Sequence, residues 1–186
     1  MIKVTWEWLG QGLALDLADT VTIEDGTEHD LIDSANGYAR WAAREAAFLP
    51  KELAAALDRG RSQLLDLRAT VRDALAAVTA GVPPPLRSVD QLNRASRSAP
   101  TWTELDPVEL SLRHETSANK MDVLLASYAR ATIDLLAKDA RRLRRCPAPS
   151  CGMFFLGTRP QQRWCSIQCG SRARVARHYK NQRQSA

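Results

Sequence analysis

The sequence predicts a mainly α-helical fold: a helical N-terminal body with a small β-hairpin, followed by a short C-terminal module of different character. Three observations carry this. Apolar residues recur at spacings of three and four through much of residues 30–144, the period of amphipathic helices. Strict alternation of apolar and polar residues is confined to one stretch within 101–113. All four cysteines of the 186-residue chain fall between 146 and 169, which sets the C-terminal end apart. The body is expected over 1–140 and the module over 141–186.

Along the body, residues 13–20 (LALDLADT) are too short to assign. Val21 and Ile23 precede Asp25-Gly26, a turn signal. Leu31, Ala35, Tyr38, Trp41 and Ala42 predict a helix over about 30–47. Pro50 suits the first turn of a helix that Gly60 stops. Leu64, Leu67, Val71, Leu75 and Val78 predict a long helix, which the prolines at 83–85 cannot continue. Ser88 and Gln91 have capping-box spacing for a helix over 89–97. Val108, Leu110 and Leu112 alternate with polar residues as in a half-buried strand, which Asp106-Pro107 can fold back on Thr101–Leu105. A final helix is expected over 117–144, with Met121, Leu124, Leu125, Tyr128, Leu135 and Leu136 as its core stripe and arginines in its last turn.

Charge is unevenly spread. Residues 138–186 hold 12 Lys/Arg and one acid, Asp139, a local charge of +11; residues 1–137 hold 14 Lys/Arg and 20 acids, or −6. An acidic body with a basic end suits a polyanionic partner, or a tail that folds back on the body. No stretch has the length of a membrane span, and Glu7, Asp16 and Asp19 interrupt the N-terminal apolar run, unlike a secretion leader. These features predict a cytoplasmic protein with reduced thiols and no membrane partner.

The cysteines are spaced Cys146-x4-Cys151-x13-Cys165-x3-Cys169. Two local pairs joined by a spacer suit a tetrahedral zinc site, with sulfurs about 2.3 Å from the metal. Two disulfides or four unrelated thiols are the weaker alternatives: a reducing compartment disfavours the first, clustering the second. Pro147, Pro149 and Gly152 suit a knuckle. Met153–Leu156 has strand character, Arg163-Trp164 suits a returning strand, and Cys165 and Cys169 share one side of a helix start. Knuckle, hairpin and helix make a treble-clef-like zinc finger. One Zn2+ is expected, and with four cysteine ligands it has no open position and is structural. Arg145, Arg163 and Arg172 are candidates to offset its charge. Phe154, Phe155 and Trp164 are expected to form a miniature core.

At these residues a resemblance emerges. Cys-x4-Cys, an aromatic pair and RWCSIQCGSRARVARHYKNQR resemble the CGNR zinc finger, with Trp164-Cys165-Ser166 and Cys169-Gly170-Ser171-Arg172 on its signature. Gly12–Thr20 resembles the L-A-L-D-F-V-N-T opening of the ABATE domain, the usual partner of that finger. Here Ser171 stands for the signature Asn, Arg174 for a Lys and Asp19 for the Asn of the opening; the family's Asp and Ser-Arg-Asn run before the second cysteine pair are missing. The resemblance implies a stress-induced transcription regulator.

A helix over about 166–181 would spread Arg172, Arg174, Arg177, Lys180 and Arg183 over a wide arc, leaving Val175 and Tyr179 as an apolar edge that packs on the hairpin. With Arg163, these cations are the candidate nucleic-acid contacts. DNA is the favoured partner and RNA a lesser alternative; a zinc-stabilised protein-interaction module without DNA contact is the other reading. The body would be a sensor or oligomerisation module, with a homodimer among its expected states. Trp6, Trp8, Trp41 and Trp102, if they converge, would line an effector pocket for a small molecule, with Asp16, Thr20 and Trp41 as its candidate residues; ordinary core packing is the competing reading. No enzyme is expected. Gly10-Gln11-Gly12 begins a dinucleotide motif, but Leu15 occupies its last glycine position. His29, His114 and His178 fall in no catalytic signature.

Overall fold

Helix α1 (Leu13–Ala18) is apolar nearly all round and five of its six residues are buried, as expected of a helix in the middle of a core. It packs against α4 (Arg61–Thr79) and α6 (Lys120–Asp139), the two long helices of the body. The computed structural model describes residue 6 and residues 8–184. The leader reading rests partly on residues 1–5 and Glu7, which lie outside the described residues. Among the described residues no helix is long and apolar enough to cross a membrane.

The chain leaves α1 through a hairpin, β1 (Val21–Glu24) and β2 (Thr27–Asp30), in antiparallel register with Val21 opposite Asp30. Its turn places Asp25 and Gly26 at φ of 48° and 81°, the left-handed pair that matches strand twist. In α2 (Ala35–Glu45) the Ser34 Oγ accepts the Gly37 N–H at 3.0 Å. This cap starts the helix later than periodicity alone suggests. A 3-10 turn follows, then α3 (Lys51–Arg59), bounded by Pro50 and Gly60 as expected. Trp41, Leu57, Leu64, Leu75, Leu124 and Tyr128 are among the large, fully buried side chains of the core.

Three expectations need correction. Helix α5 (Leu86–Arg97) begins directly after Pro85, so Ser88 lies in its first turn, buried, and forms no capping box. Gln91 instead accepts a hydrogen bond from Thr70 at 3.0 Å. The second correction concerns the hairpin of β3 (Thr101–Leu105) and β4 (Leu112–Thr116). The Asp106 carboxylate accepts the N–H groups of Val108 and Glu109 at 2.8 and 3.0 Å. This ties Val108 and Glu109 into a tip, so that of the three expected apolar strand residues only Leu112 enters β4, and Val108, Leu110 and Leu112 are 87%, 75% and 71% exposed rather than half-buried. Thirdly, α6 is capped by Asn119 as a clean start but ends at Asp139. The arginine-rich stretch turns, and Leu143–Arg145 forms strand β5.

Three acids, Asp16, Asp19 and Glu45, are fully buried in the body. Glu45 is fully buried; its Oε1 accepts the Tyr128 O–H at 2.8 Å and its Oε2 has no hydrogen-bond partner. Burial, reinforced by the nearby Asp16 charge and opposed by the Tyr128 hydrogen bond, pushes its pKa up to about 8. A carboxyl with a raised folded pKa contributes stability that is present below its unfolded value and lost as pH rises through the folded one. Asp16 and Asp19 are also pushed up by burial, so they act in the same direction. Burial opposes the ionisation of Asp30 as well, but its hydrogen bonds from Arg68 and the Ile32 N–H outweigh burial and hold its pKa low, so it acts only in acid. The melting temperature is therefore expected to fall between about pH 5 and 8. Glu45→Gln should flatten that fall and leave the protein more stable than wild type at pH 8, as thermal melts across pH will check. An unchanged pH profile in the variant would show that Glu45 does not titrate in this window.

Candidate metal centre

Strand β5 pairs antiparallel with β6 (Phe154–Leu156), Leu143 opposite Leu156 and Arg145 opposite Phe154. The loop between them carries Cys146 and Cys151. The Cys146 N–H closes the ladder on the Met153 carbonyl at 2.8 Å. Ser150 and Gly152 take φ of 56° and 73°, which folds the loop into a knuckle. The hairpin thus uses the strand before Cys146; Arg163-Trp164, expected as the returning strand, is irregular. Its residues lead straight into α7 (Ile167–Gln184). Ser166 Oγ accepts the Cys169 N–H at 3.1 Å, and Cys165 and Cys169 bracket the helix start.

The four Sγ atoms lie within 4.8 Å of one another. Cys151 to Cys165 is 3.6 Å and Cys165 to Cys169 is 3.5 Å. Ligands at about 2.3 Å from a tetrahedral centre are about 3.8 Å apart, so this spacing fits zinc. No disulfide joins the thiols. Their acidities are split: hydrogen bonds from Cys151 and Cys165 push Cys146 down, and the bond to Cys146 pushes Cys151 up. One thiolate is welcome, and its charge opposes the next. A divalent cation in place of the shared protons relieves that opposition. Arg172 donates to Cys169 Sγ at 3.0 Å and to the Ser150 carbonyl at 3.1 Å, adding positive charge beside the sulfurs.

Phe155 and Trp164 pack with the cysteines, as expected. Phe154 does not. It lies 1% exposed in the core of the body with Leu143 and Leu156. Successive strand residues face opposite ways, so one aromatic serves the zinc cluster and the other the body. Phe154 N–H donates to Asp19 Oδ1 at 2.8 Å, across 135 residues of sequence. The guanidinium groups of Arg72 and Arg145 lie 5.9 and 5.6 Å from its ring centre. Strand β1 also touches the knuckle: Ile23 N–H donates to the carbonyl of Cys151 at 3.0 Å. A Cβ on Gly152 would lie 2.5 Å from the Ile23 side chain, so glycine permits this approach. The finger is docked on the body through β6 and one face of the knuckle. In the sequence Asp19 stands out only as a departure from the family's opening motif.

The other candidate residues separate. Arg174, Arg177, Lys180 and Arg183 stand exposed along α7, and Arg163 lies against the Trp164 ring at 5.8 Å. Val175 and Tyr179 are 55% and 62% exposed, so the expected apolar edge does not pack on the hairpin. Asp16, Thr20 and Trp41 are fully buried. Both Asp16 oxygens accept loop N–H groups, from Gly10 at 2.9 Å and Gln11 at 3.1 Å. Thr20, beyond the end of α1, donates to the Leu17 carbonyl and accepts from Arg68. These side chains hold the core together and line neither of two surface clefts, one beside Leu13, Ala131 and Leu156, the other beside Asp30, Arg68 and Arg72. Trp6, Trp8 and Trp41 join one core while Trp102 sits on the exposed β3–β4 hairpin, so the four tryptophans do not converge.

Fold and site together define a helical protein that carries a structural four-cysteine zinc finger at its C-terminal end, with one Zn2+ held by Cys146, Cys151, Cys165 and Cys169. The ABATE family model, described as "Putative stress-induced transcription regulator", matches residues 11–139, and the CGNR zinc finger model matches 142–182. The chain belongs to the ABATE family and ends in a CGNR zinc finger. No curated protein matches it.

Proposed function

We propose that the chain is a cytoplasmic DNA-binding transcription regulator, not an enzyme, in which the zinc finger aims α7 at the phosphate backbone. One observation carries this reading. From Arg174 to Arg183, α7 exposes four cations, contains no acid, and enters no ion pair among the described residues. A helix that folded back on an acidic body would spend those charges there. Such a surface attracts a polyanion and gives a salt-dependent affinity. RNA offers the same phosphates, and competition between duplex DNA and RNA separates the two. The zinc, closed by four sulfurs, supplies rigidity rather than chemistry. The body serves as the sensing or oligomerisation part.

Arg172 is occupied by Cys169 and Ser150 and is best left intact in any test. Replacing Arg174, Arg177, Lys180 and Arg183 together by alanine should lower the slope of log affinity against log salt by about one for each phosphate no longer neutralised. DNA retention at several salt concentrations, with zinc content as the folding control, measures this. Equal retention by the variant and wild type would reject α7 as the binding element. The protein-docking reading draws on exposed Val175 and Tyr179, and predicts that their replacement, not that of the cations, removes the partner.

A further inference from the structure

We infer that the β3–β4 hairpin is a dimerisation arm, which pairs with the same hairpin of a second copy, β4 against β4, around a two-fold axis at His114. The inference does not depend on what α7 binds.

The hairpin is apolar where it should not be. Every residue of β3 is exposed, as are the first three of β4. Trp102, Leu105, Val108, Leu110 and Leu112 account for five of the eleven exposed large hydrophobics among the described residues. A lone two-stranded hairpin is marginal in water, and an exposed apolar one invites pairing. Its tip is nevertheless built. Asp106 is 2% exposed and holds the N–H groups of Val108 and Glu109 and the guanidinium of Arg113; its own N–H donates to the Ser111 carbonyl at 2.8 Å. Leu110 takes φ of 51°, in the left-handed region. The aliphatic side chains are thus held outward rather than folded back.

The occupant follows from the open edge of β4. Antiparallel ladders alternate hydrogen-bonded and non-bonded pairs. With Asp106 bonded to Ser111, the Glu104–Arg113 and Trp102–Glu115 pairs are the bonded ones. Leu112, His114 and Thr116 therefore aim their N–H and C=O groups at the free edge. A symmetric β4–β4 pairing must match these residues with one another. Centred on 113 it opposes Arg113 to Arg113 of the second copy. Centred on 115 it opposes Glu115 to Glu115. Centred on His114 it uses all three outward residues and sets Arg113 against Glu115 of the second copy, twice. Those contacts fall at non-bonded positions, where facing side chains approach most closely. The edge is therefore complementary to itself in one register, as a closed two-fold interface requires. Each tip then runs past Thr116 of the second copy toward the start of its α6.

The test uses the zinc-loaded full chain. Wild type should sediment as a two-chain species at micromolar concentration. Glu115→Arg, which replaces two attractions by two repulsions, should raise the dimer Kd about tenfold or more. His114→Cys should form a disulfide-linked dimer on mild oxidation, because residues at the centre of a bonded pair lie about 5.5 Å apart at Cα. Glu115→Cys should not, because it faces residue 113. The inference is overturned if wild type sediments as a monomer, which would assign the arm to a different partner. It is also overturned if Glu115→Arg leaves the Kd unchanged, or if Glu115→Cys cross-links as readily as His114→Cys.

Discussion

Removing the zinc, by chelation or by Cys165→Ser, is expected to unfold the finger and free α7 from any fixed orientation. The cluster around the sulfurs consists of Ala148 and Phe155, with Met153, Trp164 and Ala173 partly buried beside them. Those few apolar groups are too small a core to hold a module of this size without a staple. Zinc binding in modules of this size contributes on the order of 10 kcal/mol or more. The loss extends into the body, because Leu143 and Phe154 belong to its core. Elemental analysis should find one zinc per chain. Chelation should lower the far-ultraviolet helical signal and open residues between Asp139 and Ala173 to protease, with a fall in the body's melting temperature. A metal-free protein whose finger resists protease as well as the loaded one would refute a zinc-dependent fold.

How much of this was legible in the sequence depends on how far apart the interacting residues lie. Helices α2, α4 and α6 follow from local periodicity, α3 from the bounding Pro50 and Gly60, and the zinc ligands from local spacing, whereas α5 is legible as a helix although the capping box that suggests it does not form. The end of α6 does not follow: Leu143 lies seven residues after Leu136 and keeps the helical stripe, yet it enters a strand whose partner, Leu156, is beyond the knuckle. The same distance hides the hairpin's true first strand and leaves Arg163-Trp164 as the nearer match. Val108, Leu110 and Leu112 alternate as a buried strand does, but no pattern tells which surface covers them. Glu45 leaves a usable signal. It continues the Tyr38, Trp41, Ala42 stripe at the next helical step, an acid on an apolar face. Asp19 leaves almost none, since its partner is the amide of Phe154.

Phe154 is the residue on which the docking of finger to body should turn, and Phe154→Ala is expected to cost about 3–5 kcal/mol, the range for emptying a buried aromatic site. Its ring fills the body core, its N–H is held by Asp19, and two guanidinium groups face its ring. Phe155, one residue on, points to the sulfurs. The two truncations should therefore fail differently. Phe154→Ala should lower the melting temperature of the body while zinc stays bound. Phe155→Ala should weaken zinc retention against a competing chelator first. Asp19 supplies the finer test. Asp19→Asn keeps an oxygen for the Phe154 N–H and should be tolerated. Asp19→Leu leaves that buried amide without an acceptor, at about 1–3 kcal/mol. Thermal melts followed by tryptophan fluorescence and by zinc release separate these outcomes. If Phe154→Ala and Phe155→Ala lowered zinc affinity equally and left the body's melting unchanged, the finger would be an independent module, and the contacts of Asp19 and Ile23 with it would carry no stability.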